Sequence, residues 1–403
     1  METMDKARLK RLDFRLLSMV FILVGLWILF RMKTGPFYFS GDSIGNLTRD
    51  MATWTILAAG MTLIIVAGHI DLSVGSLLAL VAAACAHMIN PEHGFGWSAS
   101  VAVPLALALG LGVGLCQGML IAYFRIPAFI ITLAGLFILR GFTQKVSAFD
   151  PRVPDSSWVC ALGFQHLSPA KGWAVAVMVC VVWAAAVLWG RARRKRLGIE
   201  PDGPVLTALK IGLPAAALFA FTFRVNQAAG IPAQTLAMAL VLLLVHFVAR
   251  QTRFGRHVFA VGGNAEAARL SGISVEKVTV GVFGIMGLLA GVAGVIWMAQ
   301  NQGSTKDAGT FYELYAIAAC VIGGTSLMGG RGSIFGTFLG GLVMATVIQG
   351  MDYTDLENWL QLVVRGAVVA VAVGIDVAGK DPAPWMRRVA GIFRRRERSP
   401  AGP

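Results

Sequence analysis

The sequence predicts an all-α membrane protein that crosses the bilayer about ten to twelve times. Its 403 residues are 56% hydrophobic and only 14% charged, and the mean hydropathy is +0.70. A soluble domain carries about 25% charged residues, so this chain lacks the polar surface that a soluble globule of its size needs. Apolar runs of about 20 residues, the length of a membrane helix, recur along the whole chain. A soluble enzyme with a large core is therefore the poorer interpretation.

Twelve apolar segments are candidate transmembrane helices, and their boundaries are approximate. They are 14–31, 51–68, 72–89, 99–122, 127–144, 171–190, 205–223, 232–249, 276–299, 311–328, 333–350 and 359–377. Ten crossings satisfy the pattern as well, if two segments are re-entrant or fused. The first segment is followed by Arg31 and Lys33 and not by a small-residue cleavage site. We therefore expect an uncleaved first span, preceded by a cytoplasmic segment, 1–13.

The distribution of Lys and Arg predicts that both termini are cytoplasmic. When the segments alternate in direction, the most basic loops fall on the side of the N-terminus, as the positive-inside rule requires. The loops left outside, 145–170, 224–231, 300–310 and 351–358, are poorer in Lys and Arg, and the main exceptions to the pattern are Arg31, Lys33 and Arg49. The net charge of +14 then reflects cytoplasmic loops, and we expect no nucleic-acid partner. The basic tail, 378–403, is predicted to be cytoplasmic and disordered.

The stretch "VAGHIDLSVGSLLALVAAA", residues 66–84, places an acid and two glycines between apolar runs. An Asp in the bilayer centre costs roughly 2.5–3.5 kcal/mol, so it needs a partner, a cavity or a function. Gly68 can end one helix, and Asp71 or Ser73 can cap the next. One interpretation is a capped tight turn near the interface. The other, compatible with it, is a broken helix whose polar turn, with Asp71, Ser73 and Gly75, lines a translocation path.

A second glycine-rich break, in "CVIGGTSLMGGRGSIFGTFLGGLV", has a similar pattern of apolar run, glycines, small residue and apolar run. The two breaks form a faint internal repeat, although two such hairpins can arise independently. Gly323, Gly324 and Thr325 are the candidate path residues here. The break is not a phosphate-binding P-loop, because no Gly-Lys-Ser/Thr follows the glycines. Close packing between two helices explains the glycines better.

Residues 254–278 are too polar to span a membrane. Asn264 is a good N-cap and Gly272 a good C′ residue, and together they predict a helix of about two turns. Ala265, Ala268 and Gly272 share one shallow face of that helix, which another protein can approach closely. A plain connector is the alternative, but a connector needs only a few residues. The segment is therefore predicted to dock a partner.

The remaining polar and sulfur residues form no catalytic or metal-binding pattern. The six histidines have no metal-ligand spacing, and the five cysteines are scattered, so we expect no disulfide framework. Several hydroxyl and amide side chains fall in or near the spans and suit interhelical hydrogen bonds or a neutral polyol substrate: Thr53, Thr62, Gln117, Thr132, Thr143, Gln144, Gln300 and Asn301. We expect no metal, cofactor or nucleotide site in this chain, and no enzyme activity.

Four motifs resemble the sugar-importing permease family of bacterial ABC transporters, which includes the ribose, galactose and xylose permeases. They are "IDLSVGS" (70–76), "IPAFIITLAG" (126–135), "VGGNAEAARLSGI" (261–273) and "AIAACVIGGTSLMGG" (316–330). The resemblance covers about residues 45–377. The extra apolar segment 205–223 resembles the xylose-type permease. His69 departs from the family pattern, where a small or acidic residue is expected.

The resemblance implies the membrane-spanning subunit of an importer for a monosaccharide, with xylose or a related pentose as the first choice, in the bacterial cytoplasmic (inner) membrane. It implies an ABC ATPase subunit, a periplasmic or lipid-anchored sugar-binding protein, a second permease copy and membrane lipid as partners. Within a permease domain spanning 14–377, it implies that the coupling loop 250–275 faces the ATPase. The implied contact residues are Gly263, Asn264, Glu266, Ala267, Ala268, Arg269 and Gly272.

An ion-coupled secondary sugar transporter is the alternative. It would need Asp71 to act as the coupling carboxylate. Uptake by this chain alone, abolished by an ionophore, would distinguish it from an ATP-driven permease.

Overall fold

The computed structural model describes residues 14–354 and 356–380, and the all-α prediction is confirmed for them. The helices are α1 (Phe14–Thr34), α2 (Gly41–Val66), α3 (Val74–Ile89), α4 (Ala99–Tyr123), α5 (Ala128–Val146), α6 (Trp158–Phe164), α7 (Pro169–Arg196), α8 (Pro204–Asn226), α9 (Ala233–Gln251), α10 (Arg253–Gly263), α11 (Ala265–Leu270), α12 (Val275–Asn301), α13 (Tyr312–Ile322), α14 (Ile334–Asp352) and α15 (Asn358–Lys380). A 3₁₀ helix, Gly35–Phe39, follows α1. Two short strands, β1 (His166–Leu167) and β2 (Ile231–Pro232), pair antiparallel.

Each of the twelve predicted segments coincides with a helix, but not every helix is long enough to span. Nine helices of the described residues are long and apolar enough to cross a membrane. At 1.5 Å per residue, the 16 residues of α3 extend about 24 Å and the 11 residues of α13 about 17 Å. Both fall short of a hydrocarbon core of about 30 Å. These two helices are the ones that adjoin the predicted breaks.

The predicted segment 311–328 is wrong in its extent. Helix α13 ends at Ile322, and residues 323–333 form turns that connect it to α14. The prediction was wrong because residues 323–328 are apolar as well as glycine-rich, so hydropathy alone does not show that the helix has ended. The polar connector also holds more structure than predicted, since 253–263 forms α10. The predicted N-terminal segment 1–13 and residues 381–403 of the predicted tail lie outside the described residues, and α15 continues to Lys380.

Helix α2 is the centre of the fold, and nearly all its side chains from Met51 to Val66 are buried. It packs against α9, α12, α13 and α14. Helix α12 is the second most enclosed span and packs closely on α4 through facing glycines. A Cβ on Gly110 would lie 3.2 Å from the Cα of Gly291, and one on Gly114 would lie 2.9 Å from the Cα of Gly287. Small residues permit such close approach of helix backbones in membranes.

Helices α7 and α8 form a peripheral hairpin that packs mainly on itself. Helix α7 buries only Gly172 and Ala176, and it exposes large apolar side chains along its length. Trp183 joins the two helices by donating from its indole Nε1 to the carbonyl of Lys210 at 2.9 Å. An apolar, exposed surface of this kind suits contact with lipid acyl chains.

The bundle has two ends, the coupling end and the far end. The coupling end holds 66–68, 262–273 and 329–332. The far end holds the start of α2, the β1–β2 pair and the backbone bridge between Arg152 and Gly303. Three predicted inside loops therefore meet at one end, and the predicted outside loops 145–170, 224–231 and 300–310 meet at the other. Which end faces the cytoplasm stays a prediction.

Candidate functional site

The first break closes α2 with a left-handed glycine. Gly68 has φ +86°. Its amide donates to the carbonyl of Ile65 at 2.9 Å, and the amide of His69 donates to the carbonyl of Ile64 at 3.0 Å. These two bonds form a Schellman motif, which satisfies carbonyls that the helix end leaves free. The prediction that Gly68 ends the helix is confirmed.

Asp71 forms the turn that follows, at 2% exposure. Its Oδ1 accepts hydrogen bonds from the Ser73 backbone amide at 2.8 Å and from the Ser73 hydroxyl at 2.7 Å. The Gln117 amide Nε2 from α4 in turn donates to Ser73 Oγ at 3.0 Å. The buried acid thus has the partners that its burial requires.

Of the two caps predicted for α3, Asp71 or Ser73, the Ser73 alternative is wrong, and Asp71 bonds the backbone amide of Ser73 itself. Ser73 stands at the N-cap position, but its side chain accepts no bond from the helix. Its backbone has helical angles, φ −88° and ψ −9°, where a capping serine adopts an extended conformation. The Ser73 hydroxyl is directed to Asp71 and Gln117 instead, so it links α3 to α4.

The second break repeats the closure of the first. Gly324 has φ +86°, its amide donates to Val321, and the amide of Thr325 donates to Cys320, both at 2.9 Å. Ser333 then caps α14, because its Oγ accepts from the Gly336 amide at 3.3 Å. Both breaks are therefore the same device, a helix closed by a left-handed glycine and followed by a polar turn.

The two breaks and the end of α10 meet at one point, which we call the glycine junction: Val66, Gly68, Gly262, Gly329 and Gly330. The Gly330 amide donates to the Val66 carbonyl at 2.9 Å. A Cβ on Gly262 would overlap that same carbonyl and lie 2.9 Å from the Gly330 nitrogen. A Cβ on Gly329 would lie 2.6 Å from the Gly262 oxygen and 3.3 Å from the Gly68 Cα. Three segments distant in sequence thus touch through backbone alone.

The short helix α11 follows this junction directly. The Asn264 side chain accepts from the Ala267 amide at 2.9 Å, and Gly272, with φ +82°, closes the helix as a third C′ glycine. The Arg269 Nη2 bonds Glu276 Oε1 at 2.6 Å and ties α11 to the start of α12. The predicted caps of this helix are confirmed.

Six of the seven residues implied to face a partner are on the outside of α11 and its flanks. Gly263, Asn264, Glu266, Ala267, Arg269 and Gly272 are all exposed. Ala268 is the correction, because it is only 5% exposed and packs in the main hydrophobic core. Within one helical turn, this alanine points inward while its neighbours point out. Leu270, at 85% exposure, is the apolar side chain that this surface presents.

A cavity of about 670 Å³ lies between the first break and α11. Gly68 and His69 line one side, and Arg269 and Glu276 line the other. His69 Nε2 is 3.4 Å from Thr279 Oγ1, and the imidazole ring packs 5.8 Å from the Phe283 ring. His69, the residue that departs from the family pattern, therefore places an imidazole between the first break and α12.

Glu313 is a residue that the sequence interpretation missed. It lies in the first turn of α13 at 9% exposure, and its Oε2 has no hydrogen-bond partner among the described residues. A Cβ on Gly75 would overlap this oxygen, so Glu313 lies directly against the start of α3. Arg140 Nη1 approaches from α5 and donates to the Ala308 carbonyl at 2.6 Å. The sequence feature that could have identified Glu313 is an acidic residue inside an apolar segment.

The predicted path residues form two groups. Asp71, Ser73 and Gly75 lie with Gln117 and Glu313. Gly323, Gly324 and Thr325 lie between α13 and α14: a Cβ on Gly323 would fall on the Gly336 backbone, 2.4 Å from its oxygen and its carbonyl carbon. Thr325 is fully buried, and its Oγ1 has no partner among the described residues. The groups are linked through the glycine junction, which adjoins both.

Comparison with known proteins identifies relatives across most of the chain. The family described as the permease component of branched-chain amino acid transport systems matches residues 43–373. The xylose transport system permease protein XylH of Escherichia coli K12 is 36% identical over 375 residues, covering 92% of this chain and 94% of that protein. XylH of Haemophilus influenzae is 35% identical over 376 residues, 93% and 99% of the two chains. The ribose import permease protein RbsC of E. coli K12 is 33% identical over 341 residues, 85% and 87%. No solved structure matches the chain.

Proposed function

The chain belongs to this family of transport-system permease components, and from that premise we propose that it is the membrane-spanning subunit of an ATP-driven importer for a monosaccharide. The family description refers to branched-chain amino acids, whereas the relatives that match nearly the whole chain are named for xylose and ribose. Xylose is the substrate favoured by the relatives of highest identity cited above, and other pentoses or hexoses are the alternatives.

The observation that carries this proposal is the glycine junction. An ATP-driven permease without a nucleotide site of its own needs a partner that binds ATP and a contact that transmits its movement. Helix α11 offers the exposed surface, with Glu266, Arg269 and Leu270. The backbone just before it touches both broken helices at Val66 and Gly330. Displacing α11 would therefore displace both breaks together.

The mechanism follows from this connection. An ATPase dimer that closes on ATP pulls two α11 helices, one from each of two permease copies. Because packed helices switch between discrete arrangements more readily than they deform continuously, the breaks open the path at one end and close it at the other. Specificity for the sugar lies mainly in a sugar-binding protein that delivers it at the far end. The exposed apolar hairpin α7–α8 contacts lipid of the inner membrane.

Co-purification with the ATPase subunit of the same transport system tests the proposal. We expect Glu266→Ala and Arg269→Ala to lower recovery of the complex by at least tenfold. Arg193→Ala is the matched control, because Arg193 is exposed at the end of α7 and outside α11. Recovery of the complex at the wild-type level from both α11 variants would contradict docking through this helix.

A further inference from the structure

We propose that a cavity at the far end, between α2 and α14, is an entrance subsite that binds one monosaccharide. The proposal rests on the proposed function and adds a site to it, separate from the two breaks. The cavity has a volume of about 180 Å³ and is lined by the first half of α2 and the last turns of α14. Pockets for drug-sized ligands measure about 300–1,000 Å³, so this volume suits a single sugar ring.

The polar lining has the mixture of groups that a sugar requires. Asn46, Arg49 and Asp50 line the cavity from α2, and Gln349 and Asp352 line it from α14. Each sugar hydroxyl both donates and accepts, so its site needs carboxylate acceptors together with guanidinium or amide donors. A cation site would have acceptors alone, and an anion site would have donors alone. The lining combines both on facing helices.

The polar groups are held in place by the surrounding backbone. The Gln349 Nε2 donates to the Ser43 carbonyl at 2.8 Å. Arg49 Nε bonds Asp50 Oδ1 at 3.3 Å, and the Asp50 side chain keeps 55% exposure. The carboxylate therefore retains lone pairs open to the cavity. The Arg49 carbonyl in turn accepts from Gln300 Nε2 at 2.8 Å, which fixes this part of α2 against α12.

Trp54 closes the inner side of the cavity and supplies a second, independent observation. It is only 6% exposed, and its indole Nε1 has no hydrogen-bond partner among the described residues. A buried donor without an acceptor is costly unless a ligand or water supplies one. Its ring packs edge-on against the rings of Tyr312 and Tyr315, each at 5.8 Å. The indole is thus a fixed aromatic wall with an unused donor.

The walls of the cavity connect it to the glycine junction. Helix α2 runs from the cavity to Val66, and α14 begins just after Gly330 and runs back to Asp352. The Gly330 amide bonds the Val66 carbonyl at 2.9 Å, so both helices that hold the sugar are joined at their other ends. A shift at the coupling end would change the spacing of the two walls and release the sugar inward.

The test uses the complete complex of permease, ATPase and sugar-binding protein in proteoliposomes. The variants are Asp50→Asn and Asp352→Asn, which keep side-chain shape and remove one charge each. Asp42→Asn is the matched control, because Asp42 lies on the first turn of the same helix and outside the cavity lining. We expect uptake of labelled D-xylose to fall at least tenfold in both cavity variants, with the ATPase still bound and uptake by Asp42→Asn unchanged.

A binding measurement without the sugar-binding protein separates the subsite from the rest of the transport cycle. We expect D-xylose to change the tryptophan fluorescence of the permease–ATPase complex saturably. Trp54→Phe should remove that change, and the disaccharide trehalose should produce none. The subsite would be overturned if uptake by the cavity variants stayed within twofold of wild-type uptake, or if D-xylose caused no saturable change in fluorescence. Either result would leave the proposed function intact. Failure of the complete wild-type complex to move any pentose or hexose would overturn both.

Discussion

The amide of Gly330 donates a hydrogen bond to the carbonyl of Val66 across 2.9 Å, although Val66 ends α2 at the first break and Gly330 lies in the turns of the second. The bond closes the contact between the first and second breaks, and Gly262 lies against both partners. No side chain takes part in this bond, so the segments meet backbone to backbone. This junction is the physical link between the exposed helix α11 and the interior of the bundle.

The first prediction concerns Gly262→Ala. The added methyl would overlap the Val66 carbonyl, and because its neighbours are backbone they cannot rotate away. Overpacking of this kind costs about 1–3 kcal/mol, and we expect sugar uptake by the reconstituted complex to fall at least tenfold. The ATPase should still co-purify, since the α11 surface is unchanged. Gly141→Ala is the control, because nothing lies within 4 Å of a Cβ there; equal uptake by both variants would contradict a role for the junction.

The second prediction concerns Gly75→Ala at the start of α3. Its methyl would overlap Glu313 Oε2 and lie 2.6 Å from the Gly309 carbonyl. We expect a lower thermal unfolding temperature and at least tenfold slower uptake. Adding Glu313→Ala should restore part of the stability, because it removes one of the two clashes. Ser76→Ala serves as the control, since the neighbouring Ser76 is buried with no hydroxyl partner in the described part of the chain.

The third prediction separates the hydrogen bonds of Asp71 from its charge. Asp71→Ala leaves the amide and hydroxyl of Ser73 without their acceptor, and a buried unsatisfied group costs about 1–3 kcal/mol. Asp71→Asn keeps an oxygen in the same place. We therefore expect thermal unfolding to shift down clearly for Asp71→Ala and little for Asp71→Asn, with uptake following stability. Loss of uptake in a stable Asp71→Asn protein would indicate that the charge itself is needed.

The fourth prediction concerns the close packing of α4 on α12. Gly110→Ala and Gly114→Ala place a methyl against the backbone of α12, and we expect both to lower the unfolding temperature. Gly112→Ala puts the same methyl on the same helix where nothing lies within 4 Å. Replacing a mid-helix glycine by alanine stabilises by roughly 0.5–1 kcal/mol when nothing clashes, so this variant should be equal to wild type or more stable. Identical behaviour of all three variants would contradict the packing described.

The sequence was enough to locate the long apolar helices, but it missed α6 and α10 and did not give the lengths of the short apolar helices. Hydropathy finds every apolar run, because the transfer of apolar side chains into lipid is independent of tertiary contacts. Hydropathy does not separate α13 from the glycine-rich turns after it, because both segments are hydrophobic. The closures at Gly68 and Gly272 were predictable, because a left-handed C′ residue favours glycine.

The contacts of the site depended on distant residues and were not predictable. Gly262 meets Val66 and Gly330 across gaps in sequence that no local pattern encodes. Ala268 was expected outside and lies in the main hydrophobic core, whereas Ala265 and Gly272, which share its face of α11, are exposed. Ser73 was expected to cap α3 and bonds Asp71 and Gln117 instead, since α4 supplies a competing amide.

Uptake of labelled sugar into proteoliposomes tests the central claim most directly. We expect the chain reconstituted with its ATPase and sugar-binding protein to accumulate D-xylose only when ATP is present on the ATPase side, with no effect of an ionophore. The chain alone should accumulate none. Accumulation by the chain alone, driven by an ion gradient and abolished by an ionophore, would contradict the account and make Asp71 the coupling carboxylate.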